Sequence, residues 1–215
     1  QRLLGIVDDC LARGYALGDL AVLAHSNDLI VQVSGWLNER GRAFVSHSTL
    51  DARLRKVSGE IIALLRFLDS PIDDHAFATF TLGVVFRTFL GEAGPSEDEL
   101  RAFFAEARSD AARRPLYVLF KERHEELWTR SFHPLLTVAG YAPLYDLLSE
   151  AMKVFRVFAL HPDEEASLSR LLEAATLLEQ RGDNTLKAFV RESEADDEDA
   201  LWSVRSARKP DAVTL

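Results

Sequence analysis

Carboxylates, histidines and arginines are the side chains here that could do chemistry, and their spacing decides which chemistry is open to them. His161-Pro162-Asp163-Glu164-Glu165-Ala166 has the acidic density of a Mg²⁺-holding ATPase motif. It lacks the apolar strand that would present the first aspartate, and Pro162 suits a helix start. Asp163, Glu164 and Glu165 therefore read as first-turn acids favoured by the helix dipole. The six histidines, His25, His47, His75, His124, His133 and His161, include no i,i+4 pair. In His124-Glu125-Glu126-Leu127-Trp128 a tryptophan stands where a zinc-protease pattern needs its second histidine. No Gly-Lys dipeptide occurs, which excludes a Walker-type phosphate loop, and no Gly-x-Ser-x-Gly elbow offers a nucleophilic serine. The acids of 196–199 lack the glycine and ligand spacing of a calcium loop. Cys10 is the single cysteine and supports neither an intrachain disulfide nor a Cys-based zinc site. The residues thus predict no catalytic, cofactor-binding or metal site.

Binding is the chemistry that remains. Arg53, Arg55 and Lys56, then Arg113, Arg114, Lys121 and Arg123, are the candidates for neutralising DNA phosphates. Their alternative is a solvated helix surface with local partners, such as Lys121 with Glu125 and Arg123 with Glu126. The formal net charge is -9, which argues against a surface that grips nucleic acid all over. Six acids and no base fall in 192–199, so the rest is only mildly acidic and a local basic face stays open. Phe77, Phe80, Phe86 and Phe89 read as helix-face core rather than a base-stacking surface.

These side chains need elements to hold them. Leu3, Leu4, Val7 and Leu11 share a helix face over 2–12, closed by Gly14. Leu20–Ala24 reads as a buried strand. Residues 28–40 form a helix capped by Asn27 and ended by Gly41, and 43–45 make a second short strand. Strand, helix and strand form a βαβ unit with parallel strands. Helices follow at 56–68, 73–82, 96–108 with a Ser96/Glu99 capping box, 115–129, 143–159, 163–181 and 185–193, the last capped by Asn184. The acidic run 192–199 is a solvated loop, and 211–215 ends the sequence as a strand. The layout is an insertion: 1–49 plus 207–215 belong to one parallel sheet, 50–199 form a helical subdomain, and 192–206 an acidic linker. No run of about 20 apolar residues could span a membrane. The single cysteine and the absence of a signal-peptide layout fit the cytoplasm. The missing initiator methionine suggests a piece of a longer protein.

Asp19-Leu20-Ala21-Val22-Leu23, the helix 28–40 and Glu39-Arg40-Gly41-Arg42-Ala43-Phe44 resemble, in order, a stretch in the second motor half of UvrD/Rep-type superfamily 1 helicases. EIIALLRFLDSPIDDHAF, 60–77, resembles the segment that opens their helical 2B insertion. SLSRLLEAATLLEQRGDNTLKAFVRESE, 167–194, is similar to the late helix pair of that insertion in RecB- and AddA-like helicase-nucleases. Asp211-Ala212-Val213-Thr214-Leu215 looks like the strand entering motif V. The resemblance departs at 24–27, where Ala-His-Ser-Asn replaces a family pattern ending in arginine.

The resemblance implies a mostly α fold with a small parallel α/β element, the helices inserted between strands of a partial 2A sheet. It implies the DNA- or partner-contacting 2B region of an ATP-dependent DNA helicase or helicase-nuclease of the exodeoxyribonuclease V beta type. ATP and Mg²⁺ would belong to the parent and not to this segment, and partners would be DNA and a nuclease or helicase subunit. Exposed sheet edges would allow self-association. The alternative is a helical protein-interaction module without nucleic-acid binding.

Overall fold

The computed structural model describes residues 2–24, 27–45, 51–91, 94–107, 113–195, 201–203 and 212–215. Helix dominates them, and strand is confined to β1 (Phe44–Val45) and β2 (Val213–Thr214). The chain divides into two units, Gln1–Leu54 with Ser203–Leu215, and Arg55–Trp202.

In the first unit, α1 (Arg2–Ala12) turns Leu4 and Val7 inward. Helix α2 (Asn27–Glu39) buries Val33 and Leu37 one turn apart. β2 runs parallel to β1, with Phe44 opposite Val213 and Val45 opposite Thr214. On its other side Thr214 forms an isolated parallel bridge with Ala21, donating to the Leu20 carbonyl at 3.0 Å and accepting from Val22 at 2.8 Å. The end of the sequence is therefore the middle strand, between the two segments of the expected βαβ unit. Val213 and Leu215 join Leu4, Val33 and Leu37 in one apolar cluster, with Leu20, Val22, Ile30 and Phe44 packed around it. Burying each such side chain contributes roughly 1.5–3 kcal/mol.

The second unit is built on α3 (Lys56–Asp69), which is buried around nearly its whole circumference. It packs against α4 (Asp74–Thr81) and α12 (Leu186–Glu194). Helices α5 (Val84–Leu90), α6 (Glu97–Ala107), α7 (Leu116–Arg123), α8 (Glu125–Val138), α9 (Leu144–Val154), α10 (Val157–Leu160) and α11 (Glu165–Arg181) complete it. Its centre is aromatic: Phe67, Phe77, Phe80, Phe86, Phe120, Phe132 and Phe155 are fully buried. Phe67 and Phe77 lie 4.9 Å apart and Phe80 and Phe155 4.7 Å, in tilted and edge-to-face arrangements. Each such pair adds about 0.5–1.5 kcal/mol beyond area burial. Trp202 lies edge-on to Phe189 of α12 at 5.4 Å.

The structure revises several sequence expectations. The strand at 20–24 is reduced to the one bridge at Ala21. The helix expected over 115–129 is two helices broken at His124 (φ -128, ψ 53), and the second runs on through Pro134 to Val138. The helix expected over 143–159 breaks after Phe155, where Arg156 takes a left-handed conformation. Helix α5 was given no bounds, although Phe86 and Phe89 read as helix-face core. Asp163 and Glu164 lie in a 3-10 turn, Pro162–Glu164, before α11. Thr185, not Asn184, caps α12 by accepting from the Ala188 amide at 3.1 Å. Glu192 and Glu194 of the expected acidic loop complete α12, while 196–200 lie outside the described residues. His25 and Ser26, in the departure from the helicase pattern, also lie outside them. The Ser96/Glu99 capping box forms as expected, with the Ser96 amide donating to Glu99 at 2.7 Å and the Glu99 amide to Ser96 Oγ at 3.3 Å.

Candidate nucleic-acid interface

Among the seven basic candidates, four are already engaged by carboxylates. Arg53, in the first unit, donates to Asp51 through Nε and Nη2 at 3.1 and 2.7 Å and is largely buried. The others belong to the second unit. Arg55 forms a two-pronged pair with Glu164 at 2.9 and 2.8 Å, and that carboxylate raises the guanidinium's pKa. Arg114 pairs with Glu122 at 2.9 Å. Arg123 reaches Glu106 on α6 at 2.6 Å and lies over the Phe103 ring at 5.7 Å, rather than pairing with Glu126. Lys56, Arg113 and Lys121 are exposed and form no ion pair among the described residues. Arg113 has φ 48, in the left-handed region.

The acids are occupied by structure in the same way. Glu164 of the His161–Ala166 run holds Arg55. The Ala76 amide and then Arg66 hold Asp73 below the usual carboxylate range. Glu97 is lowered by Arg101 and Arg87, and Glu99 by the Ser96 amide and hydroxyl. His124 packs its ring on Phe120 at 4.9 Å, and burial lowers its pKa. A cleft of about 710 Å³ is lined by Asp69, Tyr141, Glu179 and Thr185 among others. Glu179 there accepts from the Tyr145 amide at 3.0 Å, and Thr185 is the α12 cap. Among the described residues no group of His, Cys, Asp and Glu is arranged to hold a metal. No described helix is long and apolar enough to cross a membrane.

Sequence reasoning passed over two further arginines of the Arg55–Trp202 unit, Arg130 and Arg156. Helices α5, α8 and α9 converge where Phe86 meets Phe132 at 5.5 Å and Phe89 meets Phe155 at 5.1 Å. Arg130 of α8 lies over the half-buried Phe89 ring at 5.6 Å. Arg156, directly after Phe155, sits at φ 52, ψ 36 and is exposed. Such a conformation costs a non-glycine residue roughly 1–2 kcal/mol. Four-residue α10 then runs to His161, whose Nε2 is 3.0 Å from Thr88 Oγ1 on α5. Thr88 Oγ1 also donates to the Val84 carbonyl at 2.8 Å. The available signal was a lack of acids over 128–145 and 151–162. The fold that joins those stretches to α5 was not readable from spacing. No protein-family model and no curated protein matches the chain.

Proposed function

We propose that this chain is the 2B-like helical region, with flanking strands, of an ATP-dependent DNA helicase or helicase-nuclease of the UvrD/Rep type, acting in DNA repair or recombination by contacting DNA or a partner subunit. The observation that carries the reading is the parallel pairing of Val213–Thr214 with Phe44–Val45. Residues far apart in sequence share a strand pair, and a separate helical unit, Arg55–Trp202, is strung between them. That is the layout of an insertion into a parallel sheet, and it supports the resemblance in residues 19–44, 60–77, 167–194 and 211–215. The sequence holds no Gly-Lys dipeptide of a Walker-type phosphate loop; the reading gives ATP and Mg²⁺ to other parts of the parent, and no step involving them is placed on this chain.

A second reading, a protein-interaction module without nucleic acid, is favoured by the net charge and by the carboxylates that engage Arg53, Arg55, Arg114 and Arg123. Fluorescence anisotropy on a duplex with a single-stranded tail separates the two. Binding that weakens steeply with added salt supports the first. No binding at low salt, with capture of a nuclease subunit, supports the second.

A further inference from the structure

We infer that Arg130, Arg156 and Phe158 form a binding site for single-stranded nucleic acid, the guanidiniums taking phosphates and Phe158 a base. This rests on the DNA-contact reading and gives it a location. Three independent observations carry it. The first is charge. The chain has 34 acidic residues, yet 84–90, 128–145 and 151–162 contain none. The fold brings these stretches together through the Phe86–Phe132, Phe89–Phe155 and Thr88–His161 contacts. Their bases are Arg87, Arg130, Lys153 and Arg156, and Glu97 and Glu150 neutralise Arg87 and Lys153. Arg130 and Arg156 form no ion pair among the described residues.

The second is conformation. Arg156 occupies a left-handed backbone position that glycine or asparagine would fill with less strain, so an arginine there points to use of its side chain. The third is the exposed ring. Phe158 is the only phenylalanine among the described residues that is exposed, at 37%. It lies on α10 between Arg156 and His161. Stacking on a ring needs an unpaired base, which selects a single strand over a duplex.

The test is anisotropy with a labelled oligo-dT, a tailed duplex and a poly-glutamate peptide, on the parent chain and on R130Q, R156G and F158A. The R130Q/R156G double variant should lose at least about tenfold in oligo-dT affinity, with a salt slope shallower by about 1.4, because single strands contribute about 0.7 per phosphate contact. F158A should lose at least about fivefold with the slope unchanged. R156G should melt no lower than the parent, since glycine suits the position, so its weaker binding cannot be ascribed to unfolding. Parent-like oligo-dT affinity in these variants overturns the site while the DNA-contact reading stands. Failure of the parent to bind either nucleic acid overturns both. Equally tight, salt-dependent binding of poly-glutamate, lost in the same variants, overturns the nucleic-acid assignment in favour of an acidic protein partner.

Discussion

Glu60 of α3 is buried directly against Gly83, and its two carboxylate oxygens accept from the Val84 and Val85 amides at 2.9 and 2.7 Å. A carboxylate from one helix thus caps the start of another, satisfying two amides that α5 cannot satisfy itself. A Cβ at position 83 would lie 2.4 Å from Glu60 Cδ, so only glycine lets the side chain through. Gly83→Ala should therefore destabilise by about 1–3 kcal/mol, the range for overpacking a filled site. Glu60→Ala should cost a similar amount by leaving buried amides unpaired, about 1–3 kcal/mol. Urea unfolding followed by circular dichroism checks both. A Gly83→Ala variant as stable as the parent would show that Glu60 is not fixed in place.

Asp73 gives an acid-side prediction. The Ala76 amide and Arg66 depress its pKa, so its contribution is fully present above the unfolded carboxylate value, about 3.9. It is lost as pH falls through the lower folded value. Asp73→Asn keeps a side-chain cap and removes the charge. The stability gap between parent and variant should hold from neutral pH to about 4 and then close as acid is added. Urea midpoints across that range measure it, and a gap independent of pH would refute the assignment.

His124 behaves in the opposite pH region. Packed against Phe120 and Phe103, with Arg123 and Glu99 as its charged neighbours, it has a folded pKa lowered chiefly by burial. Below the unfolded value of about 6.5 the unfolded chain takes up the proton first, so stability falls as pH drops. Above that value the residue adds no pH dependence. His124→Gln should flatten the difference in stability between neutral pH and about pH 5. The ring's NMR titration should have its midpoint below about 6.5; a midpoint above it would contradict the burial argument.

Periodicity and caps carried most of the helices, because α1, α2, α3 and α11 each show an apolar face at helical spacing and local stop signals. Where a long-range contact sets the structure, the sequence was silent. Helix α5 begins at Val84 because Glu60, 24 positions earlier, reaches its first amides. Helix α9 stops because Phe155 joins Phe80 and Phe89 in the core while Arg156 turns left-handed. The partners of the paired basic candidates were hidden for the same reason. Arg123 looked paired within its own stretch, yet its partner, Glu106, is on α6. Composition did record the acid-free stretches, but the ring contacts that join them into one surface depend on tertiary packing.

β2 has a neighbour on each of its two sides, so Val213 and Thr214 are not an edge of the strand pairing. Val213 donates to the Ala43 carbonyl at 2.9 Å and Thr214 to the Leu20 carbonyl at 3.0 Å, so neighbours on both sides hold the strand. Val213 is fully buried beside Leu37. The amides of Val213 and Thr214 should therefore be among the slowest to exchange in the first unit, since both are paired within its core. Val213→Ala removes two methyl groups and should cost about 2 kcal/mol. Its effect should fall on exchange in α1 and α2 and leave α3 and α4 protected, because the helical unit has a core of its own. Hydrogen exchange with mass spectrometry reads both units in one experiment. Rapid exchange at 213–214 in the parent would return this segment to the edge of the sheet, and equal loosening of α3 would show that the two cores unfold as one.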